Sequence, residues 1–312
     1  MSAPLVPSDR FSVAISTMHR PEALARCISS IWRGSVRPRQ LLIVDQSRDD
    51  ATEAVVRAQV GAGLPIRYQR AEARGLGASQ NVAVMLAETE FVAVTDDDCI
   101  VDARWLEVVA AAFASTPDLD LCAGAVLALP SEGERTWPVS LRTSPDRLDL
   151  HGYAPPWSVG SGNNFTVRRA IYLRVGGCDE RLGPGSPGKG GVDTDLFYRL
   201  LRAGARLRYE PGAVVYHERQ RYADRLARRP LYGHGMGASV AFRLRDRDPM
   251  AGRLLVDWAA LRAGMLWRAA RRRDWRGARE ELVMLRSTVQ GLWHGFRAPA
   301  TATPRGTGHA SA

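Results

Sequence analysis

Cysteine is scarce in this chain of 312 residues, which contains only 4 of them. Cys27, Cys99, Cys122 and Cys178 are scattered, form no CxxC pair and mostly lie in apolar surroundings. That spacing excludes a disulfide framework and a cysteine-ligated zinc site. It favours reduced thiols in the core of a cytoplasmic protein.

Long apolar runs are also missing from the chain. No run approaches the ~18 residues of a membrane-spanning helix, and the first residues, MSAPLVPSDR, lack the charged and apolar regions of a signal peptide. We therefore expect neither export nor a membrane span. The chain should be soluble or peripheral, and its expected location is the cytoplasm or the inner face of the cell membrane.

Positive charge is unevenly distributed, although the formal net charge is +10. Residues 219–297 contain 18 Arg against 7 acidic residues, whereas residues 1–218 contain 24 Lys or Arg against 26 acidic residues. The basic excess thus belongs to the C-terminal quarter of the chain. A nucleic-acid binder would use that region. The acidic residues Asp45, Asp97, Asp98 and Asp193, which are described below, would then have no role and would repel phosphate, so we predict no nucleic-acid partner.

Apolar strands alternate with helices over the first 130 residues. FSVAIST (11–17) is followed by a helix whose apolar residues recur at i, i+3, i+4 and i+7 after a proline. Further strands are predicted at 40–45, 66–69, 91–95 and 121–129, and a further helix at 77–89. This alternation predicts an α/β fold, with a mostly parallel sheet covered by helices on both faces.

The pattern changes in the second half of the chain. A long loop rich in Pro, Ser, Gly and Trp is predicted from about 131 to 160, and a strand in NNFTVRR follows it. Next come a helix near Arg168, the helix VDTDLFYRLLRAG and a strand pair around RLRYE and AVVYH. Between them, GPGSPGKGG (183–191) matches GxxxxGK but lacks Ser or Thr after Lys189, so we interpret it as a mobile loop with Gly hinges rather than a phosphate-binding loop.

Acidic residues collect at the ends of the predicted strands. Asp45 ends the second strand, and Asp96, Asp97 and Asp98 end the fourth. Ligands of open α/β sheets lie beyond the carboxyl ends of the strands. Closely set carboxylates there favour a hard divalent cation that also binds phosphate oxygens, whereas the alternative is that they cap a helix beginning near Asp102.

Four segments, in this order, resemble the family 2 glycosyltransferases of the GT-A fold: STMHRPEALARCISSI, LLIVDQSRDDAT, ARGLGASQNVAV and VAVTDDDC. The resemblance covers about residues 10–218. It implies a GT-A catalytic domain at 1–218 that binds a nucleotide-sugar donor. A basic, Trp-containing helical extension would follow at 219–297, and a disordered tail at 298–312.

The resemblance also implies how the donor is bound. Thr17, Arg20 and Asp45 would contact the nucleotide. Asp97 would face the ribose and Asp98 would hold Mn²⁺ or Mg²⁺, with Asp96 supporting either.

Two further donor contacts follow from the resemblance of the segment that begins at Arg74. Arg74 and Asn81 would lie beside the donor. The alternative for this segment is an ordinary helix that begins at a glycine.

In the second half, VGSGNNFTVRR and VGGCDERLGPGSPGKGGVDTDLFYRL resemble the family's glycine-asparagine strand and its Glu-Asp helix start. The Asp of that motif is the catalytic base and matches Asp193, whereas the preceding Glu is replaced by Val192. Asp195 would support the helix N-terminus or contact the acceptor. His217 matches a family histidine that completes the metal shell, and Trp157 would stack on an acceptor sugar or lie in the core.

The C-terminal extension has an apolar stripe of helical spacing, formed by Leu254, Trp258, Leu261 and Met265. An Arg cluster flanked by tryptophans, WRAARRRDWR, follows it. Aromatic residues beside Arg suit a helix at the surface of an anionic membrane. The alternative is that the stripe packs on the catalytic domain or on a second subunit.

The resemblance thus implies an inverting glycosyltransferase that moves a sugar from a nucleotide-diphosphate donor, with UDP favoured, to an acceptor hydroxyl. The acceptor would be a glycan, a lipid-linked or cell-envelope precursor, or a small molecule. A non-catalytic nucleotide-sugar-binding protein remains an alternative because Val192 departs from the motif. A metal-dependent nucleotidyltransferase is a second alternative, although the Gly-rich loop that would hold a triphosphate is missing after the first strand.

Overall fold

The computed structural model describes residues 8–130 and 136–299. The strands are Phe11–Thr17 (β1), Gln40–Asp45 (β2), Ile66–Arg70 (β3), Phe91–Asp96 (β4), Cys99–Val101 (β5), Leu121–Ala128 (β6), Thr136–Trp137 (β7), Leu148–Leu150 (β8), Asn164–Arg168 (β9), Leu207–His217 (β10) and Gln220–Arg221 (β11). The helices are Pro21–Trp32 (α1), Ala51–Gly61 (α2), Leu76–Leu86 (α3), Trp105–Ser115 (α4), Arg169–Arg174 (α5), Val192–Arg202 (α6), Tyr222–Arg245 (α7), Met250–Arg271 (α8) and Trp275–Arg297 (α9).

One large sheet organises the chain, with strand order β3-β2-β1-β4-β9-β6-β10-β5 and β8 paired to β10. Strands β1 to β4 are mutually parallel, and β6 is parallel to β10. Because β9 runs antiparallel to both β4 and β6, those two strands point the same way. The carboxyl ends of β1, β2, β4, β6 and β10 therefore meet at one edge of the sheet, together with the amino end of β9.

Helices cover both faces of this sheet, as the alternation of elements predicted. One apolar core lies between the sheet and α1, α2 and α4, and a second between the sheet and α3, α5, α6 and α7. In helix α1, the four apolar residues whose spacing predicted a helix are all buried, and Pro21 starts the helix. The α/β architecture is thus fixed by strands that are buried on both sides and by helices that are buried on one.

Two features differ from the sequence-based predictions. The sheet is mixed, because β9, β5 and β8 are antiparallel to their neighbours. The predicted strand pair around RLRYE and AVVYH is one strand, β10, whose register shifts between Glu210 and Val214.

The capping alternative for the three aspartates is not supported. Helix α4 begins at Trp105 without a side-chain cap, so the aspartates 96–98 do not serve as its N-cap.

Asn164 ties three strands and a helix together at the middle of the sheet. Its amide nitrogen donates to the carbonyl oxygens of Ala125 on β6 and Ala213 on β10, both at 2.8 Å. Its carbonyl oxygen accepts from the indole N–H of Trp105 at 2.9 Å. Asn164 is 1% exposed, so water does not reach these partners and cannot supply the hydrogen bonds that Asn164 makes.

Replacing Asn164 by alanine is expected to lower the free energy of unfolding by about 2–4 kcal/mol, because three buried polar groups lose their partner. Urea denaturation measures this. The matched control is Thr166→Val on the same strand: the hydroxyl of Thr166 is buried and has no hydrogen-bond partner among the described residues. A loss for Asn164→Ala no larger than for Thr166→Val would contradict the assignment.

The three C-terminal helices pack as a bundle against the second core. Glycines allow a close approach of α7 and α9: a Cβ on Gly237 would lie 2.0 Å from the carbonyl oxygen of Thr288, and one on Gly291 would lie 1.9 Å from that of His234. Helix α7 also touches the segment before α6, since a Cβ on Gly235 would lie 2.1 Å from the carbonyl carbon of Gly190. The extension is therefore joined closely to the part of the chain that carries Asp193.

The apolar stripe predicted on α8 packs inside this bundle. Leu254 is 0% and Trp258 is 6% exposed, and both belong to a third apolar cluster with Tyr198 and Met236. The indole N–H of Trp258 donates to Thr288 at 3.0 Å. Leu254 and Trp258 thus support the packing alternative for this stripe, whereas membrane association of the Arg cluster that follows it stays a prediction.

Two further predictions concern a membrane span and the C-terminal tail. Within residues 8–130 and 136–299, no helix is long and apolar enough to cross a membrane. The predicted disordered tail, 298–312, lies outside the described residues from 300 onward.

Candidate functional site

The candidate site lies at the edge where the carboxyl ends of the parallel strands meet. Thr17 ends β1, Asp45 ends β2, Asp96 ends β4 and His217 ends β10. Topology alone therefore brings together residues that are up to 200 positions apart in the chain. This arrangement is the one in which α/β sheets bind ligands.

The aspartates after β4 are held by one hydroxyl and one guanidinium. Thr17 donates to Asp97 at 2.8 Å. Arg20 donates from one nitrogen to both Asp97 at 3.1 Å and Asp98 at 2.8 Å. Thr17, Arg20, Asp97 and Asp98, all predicted as site residues, thus form one cluster.

The charge of this cluster is incompletely balanced by the protein. Burial raises the pKa of Asp97, against the opposing effects of Arg20 and Thr17. The pKa of Asp96 is raised well above its usual value by burial and by the negative charges of Asp98 and Asp97. Three adjacent carboxyl groups share the single guanidinium of Arg20, so a bound cation would reduce the remaining repulsion between them.

His217 and Asp98 face each other with atoms suited to a cation. The Nδ1 of His217 lies 2.7 Å from the backbone carbonyl oxygen of Glu218, which can only accept, so Nδ1 carries the proton in the neutral ring. The lone pair of Nε2 then points toward Asp98 Oδ1 at 3.5 Å, and that buried oxygen has no hydrogen-bond partner among the described residues. Metal-binding histidines commonly donate their other N–H to a carbonyl in this way.

The chemistry of the donor set favours a hard divalent cation. Asp98, Cys99 and His217 each offer an atom within 4.8 Å of the others. Burial and the neighbouring carboxylates raise the pKa of Cys99, so its thiol stays protonated and is a poor ligand. A carboxylate oxygen and an imidazole nitrogen therefore remain, and they fit Mn²⁺ or Mg²⁺ whose other ligands come from phosphate and water.

Asp193 stands in the first turn of α6, at the same edge of the sheet. Its Oδ2 accepts from the backbone N–H of Gly162 at 2.9 Å, just before β9. The side chain is partly exposed, and its charge contributes to the raised pKa of Asp96. Asp193 is thus near the aspartate cluster but has only one strong protein partner, so it is accessible to a substrate.

Gly162 is required for this geometry because a Cβ there would lie 3.0 Å from the Cβ of Asp193. Val192, the residue that replaces the motif Glu, is buried. Its Cγ2 lies so close to Gly77, at the start of α3, that a Cβ on Gly77 would be 3.2 Å away from it. Position 192 therefore packs α6 on α3, and the backbone of Gly162 orients Asp193.

Asp195 is completely buried and has a different environment from Asp193. It accepts from Arg199 at 2.7 Å and from Ser239 at 2.8 Å, and Arg243 lies 3.3 Å away. Burial raises the pKa of Asp195, but Arg243 and Arg199 outweigh that effect and lower it. Asp195 therefore fastens α6 to α7 and does not face a substrate.

Asp45 lies at the same edge but is enclosed by protein. It is 0% exposed, and its two oxygens accept from the N–H of Ser47 and from the hydroxyl of Tyr68, each at 2.8 Å. Burial and then the bond to Asp45 raise the pKa of Tyr68 to about 12. A contact between Asp45 and a nucleotide stays a prediction, and it requires Tyr68 or the turn after β2 to move.

Arg74 and Asn81 belong to a neighbouring cluster rather than to the aspartate cluster. Arg74 is paired with Glu180 at 2.7 Å. The amide nitrogen of Asn81 donates to Cys178 and Glu180, and its oxygen accepts from Tyr172 and the N–H of Cys178. All four positions of the Asn81 amide are thus used to hold the segment before α6, and its contact with a donor stays a prediction.

The glycine-rich segment 183–191 is fastened to the protein. The N–H groups of Gly183, Gly188 and Lys189 donate to carbonyl oxygens within residues 181–190, and the N–H of Leu76 donates to Pro184 at 2.9 Å. These amides are not directed at a phosphate, which agrees with the rejection of a phosphate-binding loop. Movement of this segment as a lid would break several of these bonds, and its mobility stays a prediction.

A cavity of about 400 Å³ opens beside Asp98, and its basic lining was not predicted from the sequence. Arg20, Arg26, Arg219 and Arg228 line it together with His19, Glu22, Ala23, Glu218 and Gln220. Arg228 adds a positive charge to this lining from the first turns of α7. The first turns of α7 reach the site only through the tertiary fold, and in the sequence Arg228 is one of many arginines.

Trp157 packs within the protein instead of standing free. Its ring lies 5.5 Å from that of Trp258 on α8, and it is partly buried against the third apolar cluster. The core alternative is therefore the one that its contacts support.

Comparison with known proteins gives the family and the fold of this chain. The model of the family "Glycosyl transferase family 2" matches residues 12–176. A pre-mycofactocin glycosyltransferase of Mycobacterium tuberculosis is 31% identical over 276 residues, covering 84% of this chain and 54% of that protein. A glucosyl-dolichyl phosphate glucuronosyltransferase of Haloferax volcanii is 22% identical over 229 residues, covering 67% and 69%. The chain thus spans about half the length of the M. tuberculosis relative.

Solved structures share the fold. The mannosyltransferase PcManGT from Pyrobaculum calidifontis, in complex with GDP-Man and Mn²⁺, superposes with a TM-score of 0.61 at 18% identity, covering 93% of this chain and 90% of that one. TarS of S. aureus, in complex with UDP, gives a TM-score of 0.54 at 18% identity, covering 73% and 65%. The α/β architecture with C-terminal helices is a GT-A fold, and on the family match and the 31% identity this chain belongs to glycosyl transferase family 2.

Proposed function

We propose that this protein is a metal-dependent, inverting glycosyltransferase that transfers a sugar from a UDP-sugar to an acceptor hydroxyl. The observation that carries the proposal is the pairing of an unpartnered carboxylate oxygen of Asp98 with the Nε2 lone pair of His217, at the edge of the sheet that also carries Asp193. Family membership gives the class of reaction. On the geometry of the site, we propose particular residues for the two ends of that reaction.

The donor end is assigned to the aspartate cluster and the basic cavity. Asp98 and His217 would hold Mn²⁺ or Mg²⁺, which neutralises the charge that develops on the leaving diphosphate. Arg20 and Arg228 line the cavity beside Asp98 and add positive charge to the same region. Thr17 and Asp97 fix the orientation of that cluster. Both carboxylate oxygens of Asp97 already accept, from Thr17 and from Arg20, so a ribose hydroxyl would use a second lone pair of one of them.

The acceptor end is assigned to Asp193. Inverting transfer is a single displacement in which a base removes the proton of the acceptor hydroxyl, on the face of the sugar opposite the leaving group. The hydroxyl oxygen bonds to the anomeric carbon as the bond to the diphosphate breaks, and the proton goes to the carboxylate of Asp193. Gly162 keeps that carboxylate in place without neutralising it.

The two alternatives are less well supported. A nucleotidyltransferase would not explain an isolated carboxylate on α6 that faces the metal-binding edge. A non-catalytic binding protein would be expected to have lost the base, whereas Asp193 is present and oriented despite the replacement at Val192. Catalysis therefore accounts for more of the described contacts than binding alone.

The acceptor is proposed only as a class. The H. volcanii relative is named for a glucosyl-dolichyl phosphate, a lipid-linked sugar, and the M. tuberculosis relative for pre-mycofactocin. A glycan, a lipid-linked or cell-envelope precursor, and a small molecule are thus all compatible with the family. For the donor, solved neighbours with this fold bind UDP or GDP-Man.

Calorimetric titration of UDP and of GDP, with Mn²⁺ and separately with EDTA, tests the donor assignment. We expect UDP to bind in Mn²⁺ and its affinity to fall by at least about tenfold in EDTA, because the carboxylate cluster repels the diphosphate when no cation is present. ADP serves as the control nucleotide. Metal-independent binding, or no binding of either nucleotide, would contradict the proposal, and tighter binding of GDP would correct the base.

A further inference from the structure

The outward face of α9 carries a stripe of large apolar side chains. Trp275, Leu282, Val289, Trp293 and Phe296 are 72%, 56%, 66%, 61% and 51% exposed. At 3.6 residues per turn these five positions fall within about 60° of arc, along a helix about 34 Å long. Soluble proteins rarely leave so many aromatic and aliphatic side chains exposed in one line.

The exposure of this stripe does not come from a loosely attached helix. The opposite face of α9 is buried against α7 and α8, with Met284, Ser287, Gly291 and Gly295 among its buried residues. The close glycine contacts with α7 fix the rotation of α9 about its axis. The helix therefore has a buried polar and small-residue face, and presents its large apolar residues to solvent.

The charge beside the stripe has one sign. Arg279, Arg286 and Arg297 are exposed and lie along one flank of the same outward face. The two acidic residues within α9 are buried on the inner side, where Glu280 pairs with Arg225 and Arg229 and Glu281 pairs with Arg262. The outward face of α9 thus has positive charges and no negative one.

The turn between α8 and α9 extends this surface at one end. Trp267 is 58% exposed near the end of α8, and the exposed Arg268, Arg271, Arg272, Arg273 and Arg276 lie close to it in the chain. The one acidic residue of the turn, Asp274, accepts from the N–H of Gly277 as the N-cap of α9. Tryptophans beside arginines are typical of segments at a lipid–water interface.

We propose that the outward face of α9, continued by the α8–α9 turn, lies on the surface of an anionic lipid membrane. The apolar stripe would enter the boundary between headgroups and acyl chains, while the flanking arginines would contact lipid phosphates. This surface contains the Arg cluster between Trp267 and Trp275 that the sequence predicted at a membrane, but not the α8 stripe, of which Leu254 and Trp258 are buried in the bundle. The proposal does not depend on the proposed reaction, because lipid binding requires neither Asp98 nor Asp193.

The chemistry of this face favours lipid over other occupants. A second copy of the chain, related by a twofold axis, would bring arginines against arginines without acidic counterparts. Nucleic acid would match the arginines but would leave the aliphatic side chains of Leu282 and Val289 unused. An anionic membrane accommodates both the apolar stripe and the arginines.

Co-sedimentation of the full chain with vesicles tests the proposal. We expect binding to phosphatidylcholine vesicles that contain about 30% phosphatidylglycerol, and much weaker binding to vesicles of phosphatidylcholine alone. The variant Leu282→Ser/Val289→Ser/Trp293→Ser should lower the partition coefficient by at least about tenfold. The variant Arg279→Gln/Arg286→Gln should lower it by ~5-fold per arginine on anionic vesicles and leave the weak binding to phosphatidylcholine unchanged.

The matched control is Val60→Ser/Met85→Ser/Leu173→Ser, which removes three exposed apolar side chains from the catalytic domain. This control should bind vesicles as the unchanged protein does, and the far-UV circular dichroism and melting temperature of each variant show that it remains folded. The proposal is overturned if the unchanged protein does not bind anionic vesicles, or if the α9 variant and the control bind equally. It is also overturned if sedimentation velocity shows a dimer that the α9 variant dissociates, or if only duplex DNA binds.

Discussion

Replacing Asp98 by alanine is expected to lower the affinity for UDP in the presence of Mn²⁺ by at least about 100-fold, more than is typical when an outer-shell group of a metal site is removed. Asp98 supplies the carboxylate oxygen that has no protein partner and that faces His217. Without it, only the imidazole remains of the proposed pair of ligands. Calorimetry in Mn²⁺ and in EDTA measures the effect, and the variant should bind UDP equally weakly in both.

The same substitution should leave the fold intact. Asp98 is one of three adjacent carboxylates whose mutual repulsion and burial raise the pKa of Asp96. Removing one of them in the absence of metal relieves that repulsion, although Arg20 loses one of its two partners. We expect a melting temperature in EDTA that is equal to or higher than that of the unchanged protein, as is common when a functional charge is removed.

His217→Ala should give a smaller loss in the same experiment, because Asp98 and phosphate oxygens still coordinate the cation. Asp102→Ala is the matched control, since Asp102 lies a few residues further along and accepts only from the N–H of Arg104 at 2.9 Å. That control should bind UDP and Mn²⁺ unchanged. Mn²⁺-dependent binding that survives in Asp98→Ala would show that the cation is held elsewhere.

The parts of the fold that could be predicted are those whose pattern is local. Strands β1, β2 and β4 are short apolar runs that end at polar residues, and α1 has one apolar stripe after a proline. Such signals do not depend on distant residues. The bounds of β1 and β2 agree residue for residue with the prediction, and α3 begins within one residue of its predicted start.

The parts that could not be predicted depend on partners far away in the chain. The α8 stripe around Trp258 is equally suited to a membrane and to the inside of a helix bundle, and only the position of α9 decides between them. Asn164 looks like an ordinary strand residue until β6, β10 and Trp105 surround it. Arg228 reaches the cavity because α7 crosses the sheet edge, which no spacing in the sequence reveals.

The candidate site shows the same division. The spacing of the three aspartates and the position of Asp193 could be interpreted through the family motifs, and the fold brings them to one edge of the sheet. The motif matched Asp193 as the base and left Asp195 between support of the helix N-terminus and an acceptor contact, and the structure shows Asp195 buried against Arg199. The motifs did not reveal that Asn81 is saturated by protein groups. Residue identity predicted the cluster, whereas accessibility required the tertiary structure.

Replacing Asp193 by asparagine is expected to lower kcat for sugar transfer by about 10³-fold or more, while the affinity for UDP and Mn²⁺ stays unchanged. Asparagine has nearly the same shape and can still accept from the N–H of Gly162, so the local geometry is kept. It cannot take up the proton of the acceptor hydroxyl at neutral pH. Initial rates of transfer, measured with the donor identified by titration, separate this loss of kcat from a change in binding.

Asp195→Asn is the matched control, two residues away on the same helix. Asp195 is buried between Arg199, Arg243 and Ser239, so its neutralisation leaves the buried guanidinium of Arg199 without an ion-pair partner among the described residues, whereas Arg243 keeps Asp179 and Asp246. We expect this variant to lose about 3–5 kcal/mol of stability and to retain kcat in the fraction that remains folded. Asp193→Asn should therefore lower kcat with little loss of stability, whereas Asp195→Asn should lower stability with little loss of kcat.

Gly162→Ala tests whether the position of the Asp193 carboxylate matters for transfer. The added Cβ would lie 3.0 Å from the Cβ of Asp193 and 3.2 Å from its Oδ2, so the carboxylate must shift. We expect kcat to fall by ~10–100-fold, between the unchanged protein and Asp193→Asn, because small displacements of a reacting group are costly. If Asp193→Asn kept more than about a tenth of kcat, the base would have to be another group, since general base catalysis typically contributes at least about 100-fold.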